Sequence, residues 1–342
     1  MKVVGVCGYG YSGSGALFDL LKEYDECVIG SEVEFELLYS PGGLLDLEYH
    51  LMKNCNRFNS GDIAIRQFKR IIKINSKKSG PFYQFTNGKF FEISNKYVDS
   101  LCQCKWRGLV SYDMYLDSAF EKRLRYSFLR RLIKVIHILG FRTADYKRIM
   151  YLSVAPKNFY VQTRKYIEDL FKASGYIENK ICVVNQLFPA NNIKPCFKFF
   201  LNSKAIVVDR DPRDLYISIK LFIKDAASFI PMDDVNSFIR YYRAVRLTKD
   251  NDCKEILYIK FEDLIYKYQD TINEIEKFLG ISRHMYPKKY FEPNKSVANT
   301  QLFRRYLKYE KDIKIIEHEL KEFLYIYPDN NIINENIVPF TW

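Results

Sequence analysis

Two short stretches carry residue types that could do chemistry, and both suit the holding of an anion. Near the N-terminus Gly8, Gly10, Ser12, Gly13 and Ser14 fall in GYGYSGSGA, between the apolar run Val3 to Cys7 and a helical pattern of Leu17, Leu20 and Leu21. A strand, a tight loop and a helix start present free backbone N–H groups and the positive end of a helix dipole to whatever sits in the loop. Far along the chain, Val207-Val-Asp-Arg-Asp-Pro-Arg-Asp-Leu-Tyr-Ile-Ser218 sets an arginine at the end of an apolar run and a serine two turns into the next helix. A guanidinium brings a planar fork of donors and a hydroxyl adds one more, so Arg210 and Ser218 could converge on one phosphate.

The first loop admits three ligands. Gly8 to Gly13 fits the first half of the nucleotide-triphosphate loop, but Ser14 and Gly15 follow where that chemistry requires a lysine and a magnesium-binding hydroxyl. Gly8, Gly10 and Gly13 also spell the dinucleotide fingerprint, and Glu32 at the end of a second strand lies at a suitable distance to hold a ribose hydroxyl. That combination would make the chain an NAD(P)-dependent oxidoreductase. The third reading takes Ser12-Gly13-Ser14 as a phosphosulfate cradle.

The elements that must position these residues are legible as a βαβ beginning. Strand 3–7, loop 8–15, helix 16–24 and strand 27–32 predict a parallel sheet. Sheet character returns at 180–185, 205–209 and 255–260. Pro212 at a helix start with Asp214 in its first turn predicts a helix through Phe222. Further helices are expected over 235–247, up to Gly280 as a C-cap, and over 302–325. Between the first and later strands, residues 41–180 read as a largely helical insertion (45–51, 61–74, 123–138, 159–171) with a break near 80–90. No repeat or low-complexity linker divides the chain, which predicts one domain over 1–342: three-layer α/β with a central parallel sheet and the helical insertion within it.

At this point the chain resembles the sulfotransferases that use 3′-phosphoadenosine 5′-phosphosulfate (PAPS), in particular bacterial carbohydrate-type members. Their 3′-phosphate motif is an Arg, then Asn/Asp-Pro-Arg/Lys-Asp, then a Ser eight residues after the Arg, and Arg210 and Ser218 match in type and spacing. Ser12-Gly13-Ser14 is similar to their 5′-phosphosulfate loop. Ile256-Leu-Tyr-Ile-Lys-Phe-Glu-Asp-Leu264 and Phe278-Leu-Gly280 look like a later strand and helix end of that family. Asn294-Lys-Ser-Val-Ala-Asn299 resembles more loosely the loop that closes over the cofactor, a role Arg304 or Arg305 could share. The resemblance implies a P-loop-like fold, PAPS as donor, adenosine 3′,5′-bisphosphate as product, and cofactor contacts from Tyr11, Ser12, Gly13, Ser14, Gly15, Ala16, Arg210, Ser218, Lys295, Ser296 and Asn299. It covers residues 2–35 and about 180–305, and it implies no metal.

Two departures stand out. The family places Lys or Arg before the Ser-Gly, to stabilise the leaving oxygen; Tyr11 stands there and brings no charge at neutral pH. Lys295, Arg304, Arg57 or Arg66 could replace that cation, or the chain is a degenerate module that binds nucleotide or glycan without turnover. Phe261 replaces the tyrosine before Glu-Asp-Leu. The resemblance also implies a Glu or His base near the end of an early strand. Glu32, Glu34, Glu36 and His50 are candidates; alternation after the second strand favours Glu34, with His50 second.

Bulk properties bound the remaining classes. With 342 residues, 48% hydrophobic and 27% charged, the chain can bury a large core. Its net charge of +12 favours anionic partners, although much of it lies in 122–148, where a solvated helix face is the plainer account. No nucleic-acid-binding pattern is present. Cysteines 7, 27, 55, 102, 104, 182, 196 and 253 show no metal spacing, and Cys7 and Cys182 sit in apolar strand patterns. No leader or membrane-spanning run is evident, so a cytoplasmic chain with a small nucleotide donor and a glycan acceptor is expected.

Overall fold

A computed structural model describes residues 1–55, 57–108, 128, 130–139, 148–222, 229–249 and 252–328. Its centre is a five-stranded sheet formed by β1 (Lys2–Gly8), β2 (Cys27–Val28), β5 (Ile181–Asn185), β6 (Ser203–Asp209) and β7 (Ile256–Lys260), in the order β2-β5-β1-β6-β7. Every pairing in it is parallel. Uninterrupted runs such as VVGVC, ICVV and AIVV belong in such a sheet, because both faces are covered and no alternation with polar residues is required.

Successive side chains point to opposite faces, and the core divides accordingly. Val4, Val6, Ile181, Val183, Ile206 and Val208 pack with α1 (Ser14–Leu21) and α12 (Tyr268–Leu279) on one side. Val3, Cys7, Cys182, Val184, Ala205 and Val207 face the other side. There they share one core with α2 (Leu44–Glu48), α3 (Arg57–Asn75), α4 (Pro81–Phe85), α5 (Phe90–Leu101) and α7 (Phe159–Ala173). Helices of the 41–180 segment are therefore a layer of the fold. A third cluster joins α9 (Pro212–Phe222), α10 (Val235–Ala244), α14 (Leu302–Arg305) and α15 (Glu310–Glu319).

Several expectations change in detail. The second strand has only two residues, Cys27 and Val28; beyond it Gly30 lies against Ser174, where a Cβ would stand 2.5 Å from the carbonyl oxygen. The 41–180 segment also holds an antiparallel ribbon, β3 (Cys104–Gly108) with β4 (Arg148–Leu152). Of the helix expected over 123–138, α6 covers Arg130–Ile138, and 123–127 with 129 lie outside the described residues. The helix expected over 302–325 is broken: Tyr306 leaves helical geometry, and α14, short 3-10 turns and α15 follow one another. The shorter elements α8 (Lys194–Phe197), α11 (Asp263–Tyr266) and α13 (Pro293–Ser296) complete the described fold. Among the described residues no helix is long and apolar enough to cross a membrane.

Candidate functional site

Because β1 and β6 are neighbours with Gly8 opposite Val208, the loop after β1 and the turn after β6 emerge side by side. The loop is held shut by Ser12, almost fully buried. Its hydroxyl donates to the Val208 carbonyl at 2.7 Å and accepts from the Tyr9 amide at 3.1 Å. Gly13, at φ 91°, caps α1; a Cβ there would meet the Phe261 ring at 2.4 Å. The position therefore excludes any side chain on two separate grounds. Tyr11 takes a left-handed φ of 52°, rare for a residue with a Cβ. Its ring stacks on Phe229 at 5.3 Å, and its carbonyl faces β6.

That carbonyl accepts from Arg210 Nη1 at 3.2 Å, while Nη2 donates to Ser218 Oγ at 2.9 Å and to the Asn299 carbonyl. The guanidinium lies 5.3 Å from the centre of the Phe261 ring. Arg210 is 3% exposed, its Nε has no hydrogen-bond partner, and it makes no ion pair among the described residues. Neither neighbouring acid forms an ion pair with it, since both are bound elsewhere. Asp211 holds Arg213 at 2.7 Å, and Asp214 accepts the amides of Gln301 and Leu302, each at 2.7 Å. Asp214 is near enough to feel the Arg210 charge but does not touch it, and a buried cation with an idle donor and no carboxylate in contact is costly unless an anion offsets it. This corner carries donors of the kind that hold an oxyanion.

Beneath it lies a second buried network. Glu262 accepts the Asp211 amide through one oxygen, and its other oxygen is without a partner. Burial, then the nearby Asp211 and Asp214, push the Glu262 carboxyl well above its ordinary value. Asp209 is the opposite case: Arg246 and Lys260 outweigh burial and hold its carboxyl down at about 2.

On the other side of the glycine loop opens a cavity of about 670 Å³. Its walls are Gly8 to Tyr11, Gly13 to Gly15, Glu34, Glu36, Tyr39, Asn185, Gln186, Phe188 to Asn191, Phe229, Tyr241 and Val245. The two carboxylates reach it because the Phe35 amide donates to the Asn185 carbonyl at 2.8 Å and the Phe35 ring is buried, which turns both neighbours outward. Glu34 stays accessible, yet partial desolvation and then Glu36 raise its carboxyl above the usual value. The Tyr11 phenol is raised likewise, by desolvation and then Glu34, so it is neutral.

Gln186 bridges the loop: its Oε1 accepts the Gly8 amide and its Nε2 donates to Ser14 Oγ, both at 3.2 Å. Only its place at a strand end pointed to it in the sequence. Phe229 carries no sequence signal, and Tyr241 looks like an ordinary helix residue. Gly15 lines the cavity, whereas Ala16 is buried behind it.

Other expected residues are placed apart. His50 lies in a π-helical turn with its ring edge against Tyr49, and it lines no part of the cavity. Of the segment 294–299, Asn299 reaches Arg210 through its carbonyl, while Lys295 stands exposed on α13 beside half-buried Ser296. Arg66 is paired with Asp62 at 2.9 Å, and Arg304 donates to Gln301 at 2.8 Å. The Arg57 side chain is outside the described residues. No Lys or Arg is among the cavity's described walls. Glu32 is bound to Lys22 at 2.6 Å, and β5 separates β2 from β1. In the doubly wound dinucleotide fold those two strands are adjacent.

No protein-family model and no curated protein matches the chain. Among solved structures, it is similar over 96% of its length to the sulfotransferase domain from the curacin biosynthetic pathway, at 14% identity, TM-score 0.38 and 93% of that chain. The sulfotransferase domain of the Synechococcus PCC 7002 olefin synthase gives the same identity, TM-score and share of this chain, over 95% of its own length. Sulfotransferase STF9 from Mycobacterium avium is similar over 95% of this chain and 77% of its own, at 11% identity and TM-score 0.36.

Proposed function

We propose that the chain transfers the sulfuryl group of PAPS to a hydroxyl of a carbohydrate acceptor. The observation that carries this reading is Arg210: buried, with no carboxylate in contact, with an idle Nε–H, and tied at once to Ser218 and to the backbone of the glycine loop. A cofactor with phosphate at two ends of one adenosine matches two adjacent anion-binding corners. Arg210 and Ser218 would hold the 3′-phosphate; Gly13 to Gly15 amides and the Ser14 hydroxyl would hold the 5′ end, with Ser12 fixing the loop, while the Ala16 amide is already bound to the Gly13 carbonyl at 3.0 Å. When bound, PAPS supplies an activated sulfuryl group and leaves as adenosine 3′,5′-bisphosphate.

The protein's own work is then placement and proton removal. Glu34 accepts the acceptor hydroxyl's proton, and its raised carboxyl brings it nearer to operating pH. Gln186 orients Ser14. Tyr11 offers one neutral donor near the leaving oxygen, so charge stabilisation there is weak and turnover slow. The aromatic walls of the cavity suit the apolar face of a sugar ring, and Glu34 and Glu36 accept from its hydroxyls; the same carboxylates repel acidic polymers. All eight cysteines are free, in keeping with a cytoplasmic setting.

The test is transfer from radiolabelled PAPS to a panel of neutral, amino and acidic glycans. Labelled neutral or amino glycan supports the reading. Release of adenosine 3′,5′-bisphosphate with no labelled glycan removes the carbohydrate acceptor, and tight bisphosphate binding with no single-turnover product favours a binding module.

A further inference from the structure

Among the described residues, none from the cation-rich excursion between β3 and β4 lines the cavity just described. Residues 104–148 hold eleven Lys or Arg against four Asp or Glu, so this stretch supplies seven of the chain's net +12. The excursion leaves the ribbon at Gly108 and returns at Arg148, which pair with each other, and the ribbon itself exposes Trp106 and Ile149. Within it lies α6, Arg-Arg-Leu-Ile-Lys-Val-Ile-His-Ile.

Two features set α6 apart from the other surface helices. First, Leu132, Val135 and Ile136, with Leu139 just past the end of α6, recur at the spacing of one helix face, the face a globular protein ordinarily buries. Here Leu132 is 42%, Val135 53% and Leu139 64% exposed. Second, α6 carries Arg130, Arg131 and Lys134 with no acid in its sequence. Helices α5, α7 and α15 each pair lysines with acids one turn away, as in Glu92–Lys96, Asp169–Lys165, Glu168–Lys172 and Glu310–Lys314. A short helix with an exposed apolar face, and with Arg131 and Lys134 on the opposite face on either side of exposed Ile138, matches what lies flat in a lipid interface. The apolar face enters the headgroup boundary while the cations meet anionic phosphates.

We propose that α6 is a peripheral docking element that seats this chain on an anionic membrane surface. The occupant is the lipid surface and not another protein, because the charge is of one sign and complements a phosphate layer. The proposal stands apart from sulfuryl transfer and survives if that reading fails.

The test is co-sedimentation of the full chain with vesicles of phosphatidylcholine alone or of phosphatidylcholine with phosphatidylserine. The chain is expected to sediment with the second and stay in solution with the first, and to be released by raised salt. Arg131→Ala with Lys134→Ala should weaken partitioning about 30-fold. Leu132→Ser with Val135→Ser and Leu139→Ser should abolish it while leaving the melting temperature in solution unchanged, since these side chains are exposed. Equal sedimentation with both vesicles, or with neither, overturns the proposal. So does a wild-type dimer in solution that the triple serine variant converts to monomer, because the face would then belong to a second copy.

Discussion

The two sides of the glycine loop are built on opposite plans. Toward β6, Ser12, Arg210, Ser218, Asp211, Asp214 and Glu262 are buried and bound to named partners, most of them backbone atoms. Toward β5, the cavity is open and lined by ring faces, two accessible carboxylates and a bridging amide. A ligand common to many reactions can be met by a buried corner with one donor of Arg210 left over, whereas an acceptor is met by side chains that can be exchanged without unfolding anything. Loss of a group on the first side should damage binding or stability; loss on the second should damage turnover alone.

The largest effect belongs to the open side. Glu34→Gln should lower kcat about 10²- to 10⁴-fold, with binding of adenosine 3′,5′-bisphosphate unchanged. The base acts when deprotonated, so the wild-type rate should rise with pH through a carboxyl value above the ordinary one and level off. His50→Gln, placed away from the cavity, should leave the profile as it is. A pH–rate profile of the three proteins decides the matter.

On the rigid side, Gly13→Ala should cost about 3 kcal/mol of stability, since the methyl meets Phe261 and φ is left-handed. Phe261→Leu in the same chain should restore part of it, as read by denaturant midpoints. If Gly13→Ala is as stable as wild type, the packing described between loop and ring is wrong.

A smaller effect is expected at Glu262. Its folded carboxyl value is raised, so the folded state keeps a proton that the unfolded state releases. Its contribution to stability is thus greatest below the unfolded value and is lost as pH rises through the folded one. Glu262→Gln should flatten that decline, gaining about 1 kcal/mol at mildly alkaline pH and nothing at pH near 4. Asp209 runs the other way: its folded value is lowered, and its stabilisation is lost as pH falls through the acid range toward about 2.

The sequence was most legible where chemistry and backbone coincide. Apolar runs ending in Gly8 and Asp209 marked two neighbouring strands, and Arg210 with Ser218 kept a spacing that only a strand-turn-helix explains. It was least legible where contacts are remote. Nothing near Gln186 announces the amide bridge to Gly8 and Ser14, and the place of Phe229 against Tyr11 depends on a turn far along the chain. The ribbon of β3 and β4 was hidden for the same reason, since its strands are separated by a long helical stretch. Glu34 was found by alternation along a strand that in fact stops at Val28; what turns it to the cavity is the buried ring of Phe35.

The central claim is that Arg210 and the glycine loop form one site for a single bisphosphorylated adenosine. Calorimetric titration of adenosine 3′,5′-bisphosphate into wild type and Arg210→Met tests it most directly. One saturable site is expected in the wild type and an affinity about 100-fold lower in the variant, in line with the loss of charge-assisted hydrogen bonds. Equal affinities in the two proteins, or a wild type that responds to NAD and not to the bisphosphate, would contradict it.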